Sequence, residues 1–173
     1  LATALDRSFS ASLEDYLDTH LSGLKVLVCP ADQGPVGVVN VGHLKLIFNL
    51  LREAFDYIIL DMTPSFDPRM LMALNHSNLV ILIASPDLPG VKHLKQDLEI
   101  CRLHDIPDEK LGIVINRAGI RGGIGLPEIQ AELQKHPWAA IPVEEQTVTL
   151  SVNEGVPFVL SQPHSGVSLA VKR

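Results

Sequence analysis

Apolar residues along this chain fall into two patterns, short continuous runs and stripes that recur every three or four positions. The runs YIIL, LVILIA and GIVI sit in the strand candidates Tyr57–Asp61, Leu79–Ser85 and Gly112–Asn116, with Lys25–Cys29 before them and Ala139–Ile141 after. A run that is apolar at every position, rather than at alternate ones, predicts a strand covered on both faces. Between the runs lie helical stripes. Leu44, Ile47, Phe48, Leu51 and Phe55 form one within 41–55, and Val91, Leu94, Leu98 and Cys101 another within 91–104. Such spacing places each set on a single helix face. Residues 126–135 start with Pro127 near the first helical position and carry Ile129 and Leu133 as an inward pair. A helix is also expected over 148–153, stopped by Gly155, and Ser12 can cap one with Asp15 three residues on. Gly34–Gly42 and Gly119–Gly125 are loops by their glycine content, the second expected to be a flexible surface loop.

Strand–helix alternation of this kind predicts an α/β fold, a parallel sheet with helices on both faces. The 173 residues suffice for one core, so residues 1–173 are expected to form a single domain. Ligands of an open parallel sheet bind beyond the carboxyl ends of its strands. The polar residues there are Asp61 after YIIL, Ser85 and Asp87 after LVILIA, Asn116 and Arg117 after GIVI, and Glu144, after Pro142, beyond the last candidate. Asp61 stands out, because an acid that ends a buried strand is costly unless it meets a cation or hydrogen-bond donors. Its alternative role is to cap the following loop through backbone N–H groups.

Composition narrows the classes. The longest apolar run, Leu79 to Ala84, is far short of the roughly 20 residues of a membrane span. No basic stretch leads into an apolar segment with a small-residue cleavage site, so no secretory signal is expected in these residues. Two cysteines, Cys29 and Cys101, both in apolar surroundings, suit core positions in a reducing compartment better than a disulfide framework. A net charge of −6 with scattered lysines and arginines disfavours binding of nucleic acid through its phosphates. There is no Cys-x-x-Cys, no His-Glu-x-x-His and no Gly-x-Ser-x-Gly, and the seven histidines are dispersed. The GIRGGIG stretch lacks both the dinucleotide-fingerprint spacing and a Lys-Ser/Thr ending.

The segment FDYIILDMTPSFD (55–67) resembles the MinD/ParA family of deviant Walker ATPases at the strand carrying their magnesium-associated aspartate. Residues 79–119 resemble the CpaE/TadZ pilus-assembly branch, where a strand near a proline feeds a long helix and then a strand ending Asn-Arg. Residues 141–171 are similar to the family's closing segment from Ile-Pro to Gly-x-Pro, and 10–30 to the helix and strand that open the CpaE/TadZ pattern. The resemblance implies a P-loop NTPase-like fold, incomplete at its N-terminus. Asp61 would hold magnesium through water, Asn116 with Arg117 would lie against the adenine of ATP, and Pro142, Val143 and Glu144 would line the other side of the base. Thr63 stands where many relatives have proline, which comes instead at Pro64.

The family's phosphate-binding loop, Lys-Gly-Gly-x-Gly-Lys-Ser/Thr, does not occur in these 173 residues. Without its N–H groups and lysines nothing evident neutralises a triphosphate, so no ATP or magnesium is expected bound to this chain alone and hydrolysis would need a longer protein. In that protein the resemblance implies an ATP-dependent homodimer, cytoplasmic, recruited to a cell pole or the inner membrane face. Its partners would be pilus or polar-localisation proteins, and its contact with the membrane indirect. Two other readings stand beside it: a scaffold domain that keeps the fold and binds partner proteins without catalysis, and a ParA-type partition ATPase acting on DNA.

Overall fold

The computed structural model describes residues 13–28, 40–62, 65 and 67–172. Ser12, Cys29, residues 34–39 of the first glycine-rich stretch, and Thr63 with Pro64 lie outside them. The chain forms two compact units, Leu1–His76 and Ser77–Arg173.

In the first unit the helix expected after Ser12 is a 3-10 turn, Leu13–Tyr16. β1 (Asp18–Thr19) and β2 (Lys25–Val26) then pair antiparallel, Asp18 with Val26 and Thr19 with Lys25. Gly23 makes this hairpin: it takes φ 86, a value that favours glycine, and donates its N–H to His20 O at 2.9 Å. The expected strand Lys25–Cys29 is thus one arm of a short exposed hairpin, not a member of the parallel sheet. α1 (Val41–Ala54) begins at Asn40, whose side chain accepts the N–H of His43 at 2.9 Å. α2 (Pro68–His76) lies in a stretch for which the sequence reading expected no element, though it buries Met72, Ala73 and Leu74. Phe48 of α1 packs with Met72 and Ala73 of α2, and Val41, Leu44 and Leu60 close around them.

The segment Tyr57–Asp61 corrects the sequence reading. It forms no strand and pairs with none among the described residues, and Tyr57 and Ile59 are 90% and 87% exposed. An apolar run becomes a buried strand only when neighbours take up its N–H and C=O groups and cover its faces. Leu60 alone of this run packs into the α1–α2 core.

The second unit carries the parallel sheet. β3 (Val80–Ala84) leads into α3 (Leu88–Leu103), β4 (Leu111–Ala118) into α4 (Leu126–Leu133), and β5 (Ala139–Pro142) into α5 (Glu145–Glu154). Two short helices follow, α6 (Phe158–Ser161) and α7 (Gly166–Val171). The strand order is β3-β4-β5, with Val80 through Ala84 in register with Leu111 through Ile115. The α3 stripe of Val91, Leu94, Leu98 and Cys101 is buried as its spacing predicts, and α3 packs on β3 while α7 packs on β5. Burial, aided by Asp97, pushes the Cys101 thiol above its ordinary pKa, which keeps it unreactive. Ile113, Ile115 and Ile129 fill the centre of the unit. Gly155 ends α5 at φ 64, as expected of a glycine cap. β3 departs from the expectation of full cover: Val80 and Ala84 are buried, but Ile83 on the alternate face is 66% exposed.

β4 and β5 are joined at their start by one tight fit. The Trp138 N–H donates to Ile113 O at 2.7 Å, and its indole lies over Gly112 so closely that a Cβ there would sit 2.6 Å from Cε3. Gly112→Ala should therefore displace the indole and cost about 1–3 kcal/mol. Trp138 is the only tryptophan, so denaturation followed by its fluorescence reads both effects. Unchanged stability and emission would show that the strand absorbs the methyl group.

Candidate functional site

Parallel register brings Ser85, after β3, and Asn116, near the end of β4, to one edge of the sheet. Asp87, also expected at this edge, serves the backbone. Its Oδ1 accepts the Gly90 N–H at 2.7 Å and caps α3.

β4 breaks register with β5 between Ile115 and Ala118. Ile115 pairs with Ala140 and Ala118 with Pro142, so three steps on β4 face two on β5. The extra residue makes a bulge at Asn116–Arg117, a device that re-aims side chains. Arg117 takes φ 59, in the left-handed region that a residue with a Cβ enters at a cost. Its N–H donates to Asn116 Oδ1 at 2.9 Å. A backbone N–H can only donate, so the amide oxygen must face it, and the Asn116 NH2 group is the half presented elsewhere. Arg117 Nη2 in turn donates to Glu145 Oε1 at 3.1 Å.

Across from the bulge, Pro142 closes β5, and Pro142, Val143 and Glu144 are half-buried. The Glu144 carboxylate lies against Gly166 at the start of α7. The acid that reaches the end of β4 is therefore Glu145, which the sequence reading did not single out. Its signal was position: it opens α5, one turn beyond a strand that neighbours β4.

The glycine-rich stretch after β4, expected to be flexible, is hydrogen-bonded into the edge. Gly123 N–H donates to Ile120 O at 2.9 Å, and Ile124 N–H reaches Pro86 O, after β3, at 2.7 Å. Between them is a largely apolar hollow of about 330 Å³, lined by Pro86, Ala118, Gly119, Ile120 and Leu126 among others.

Asp61 belongs to the first unit, where it is exposed. Among the described residues no three metal-donor side chains gather. A lone carboxylate is nonetheless what magnesium takes when waters and phosphate oxygens fill its other positions. Asp67, at the end of the same segment, is already committed. It pairs with Arg69 Nη2 at 2.6 Å, and its Oδ1 accepts the Arg69 and Met70 N–H groups at 2.8 and 3.1 Å, capping α2.

No protein-family model matches the chain. It is 23% identical over 158 residues to the septum site-determining protein MinD of Synechocystis, a match that covers 88% of this chain and 58% of that protein. The chain thus spans somewhat over half the length of that curated relative. A ParA family ATPase from Chlorobium tepidum superposes with a TM-score of 0.87 at 22% identity, covering 98% of this chain and 71% of that one. MinD from Pyrococcus horikoshii, solved with Mg-ADP, gives 0.76 at 21% identity, covering 92% and 65%. At these identities the likeness shows the fold: the chain has the α/β fold of the MinD/ParA-type structures. The parallel β3-β4-β5 order belongs to that fold, and the carboxyl edge of such a sheet is where ligands of open parallel sheets bind. No described helix is long and apolar enough to cross a membrane.

The Asp67 network sets a pH dependence. Its bond to Arg69, then that to the Met70 N–H, lowers its pKa from 3.8 to about 2. A depressed carboxylate contributes stability that is present above its ordinary pKa and is lost as pH falls through the lowered one. The carboxyl resonance of Asp67 should therefore titrate near pH 2, with α2 loosening between about pH 4 and 2. A midpoint at the ordinary value would mean that the cap and ion pair are absent in solution.

Proposed function

We propose that this chain is the ATP-responsive domain of a MinD/ParA-type switch protein of the CpaE/TadZ branch, which positions a Flp/Tad pilus assembly machine. The observation that carries the nucleotide reading is the bulge of β4, which offers the Asn116 amide beside a proline-closed strand end. The base would lie between Asn116, with Arg117 next to it, and the Pro142–Val143–Glu144 turn. The amide NH2 donates to a ring nitrogen of adenine, because its oxygen is held by Arg117. Asp61 would hold magnesium through water, and the metal when bound supplies charge neutralisation at the phosphates. The Mg-ADP in the P. horikoshii protein is of the same chemistry. The order of the four sequence phrases over most of the chain supports the branch.

Phosphate binding would come from a glycine- and lysine-bearing loop in the full-length protein, with ATP-dependent homodimerisation as the switch. The protein would act in the cytoplasm, at a pole or the inner membrane face, through pilus or polar-localisation partners. A non-catalytic scaffold domain that keeps the fold and binds partner proteins is the second reading.

Two substitutions test the base site in the full-length protein. Asn116→Ala removes the amide, while Asn116→Asp keeps an acceptor for the Arg117 N–H but replaces the NH2 donor with a second carboxylate oxygen and adds a negative charge. Each should weaken ATP binding by about 1–2 kcal/mol in calorimetry, and the Asp variant should melt as the parent does. Unchanged affinity in the Asp variant would remove Asn116 from the nucleotide site.

A further inference from the structure

We infer that Glu145 and Arg117 form a strap that sets the width of the base site, so that Arg117 acts as a positioning residue and not as a ligand. The inference rests on the base-site reading above and adds Glu145 to it. The proposed walls of the site are the end of β4 and the turn after β5, and past Ala118 and Pro142 the ladder no longer holds them together. The Arg117–Glu145 ion pair bridges that gap from the bulge to the first residue of α5.

Three features of the geometry point the same way. The bulge gives β4 one residue more than β5, which shifts the Arg117 side chain out of the alternation it would follow in a regular strand. Arg117 holds φ 59, a conformation that glycine would adopt without strain. A residue that bears this cost is expected to serve through its side chain, and that side chain goes to Glu145 at 3.1 Å. Meanwhile the neighbouring acid, Glu144, lies against Gly166 at the start of α7, so of the two successive carboxylates it is Glu145 that ties the turn after β5 to β4. Both partners of the strap are exposed, at 52% and 73%, so its effect is that of a surface ion pair: small, and on spacing rather than on folding.

The test uses the full-length protein, with ATP affinity and melting temperature measured on each variant. Arg117→Gly removes the guanidinium while relieving the backbone, and Glu145→Gln removes the other charge. Each should weaken ATP about three-fold without lowering the melting temperature, and the two together should weaken it no further than either alone. Exchanging the charges, Arg117→Glu with Glu145→Arg, should restore most of the affinity, a recovery that a direct contact between Arg117 and the nucleotide would not allow. Loss in Arg117→Gly with none in Glu145→Gln would make Arg117 a ligand and overturn the strap. Unchanged affinity in both single variants, or no recovery on exchange, would overturn it equally. If Asn116→Asp binds ATP as the parent does, the base site itself fails; if Asn116→Asp weakens ATP while the Glu145 variant is neutral, the strap alone fails.

Discussion

One extra residue in β4, with no counterpart on β5, interrupts the ladder between Ile115 and Ala118, and the exposed residues at that interruption are Asn116 and Arg117. On either side of it the sheet is held by ordinary means. Ile113 and Ile115 are sealed beneath it, the Trp138 indole rests on Gly112 at the opposite end of the strand, and the Pro86 carbonyl binds the loop that follows. The buried half of β4 is therefore fixed by packing, while its last residues are directed by the bulge. A local irregularity on a rigid strand holds polar groups more exactingly than a free loop would.

The second unit was legible to the extent that burial wrote the sequence. LVILIA and GIVI became β3 and β4, and the stripe from Val91 to Cys101 became the buried face of α3, because these residues cover one another. The site was legible in part. The strand-end rule placed Asn116 at the carboxyl edge, as the structure does, but it could not tell that Asp87 would be spent on capping α3 or that Glu145, and not Glu144, would reach Arg117. Those outcomes depend on which backbone donors lie nearby and on a register shift that no single-strand pattern encodes. The bulge itself left no mark, since its left-handed residue is an arginine where a glycine would have given notice.

The first unit shows the opposite case. YIIL has the composition of a buried strand, yet Tyr57 and Ile59 are exposed and the segment is unpaired among the described residues. Hydrophobic runs state what a segment can do when neighbours are supplied; pairing and cover decide what it does. Likewise, Lys25 and Val26 went to a hairpin that Gly23 imposes locally. α2 is held by the Asp67 cap at its start and by its own Met72 and Ala73 packing on Phe48.

The account's central claim is that the carboxyl edge of β4 and β5 receives the base of a nucleotide. Hydrogen exchange of the full-length protein, with and without ATP and magnesium, tests it most directly. The account predicts slowed exchange at the amides of residues 116–119 and 143–146, with the far end of the same strands, around Gly112 and Ala139, unaffected. Binding of ATP that leaves both of these segments exchanging at their original rates would contradict it.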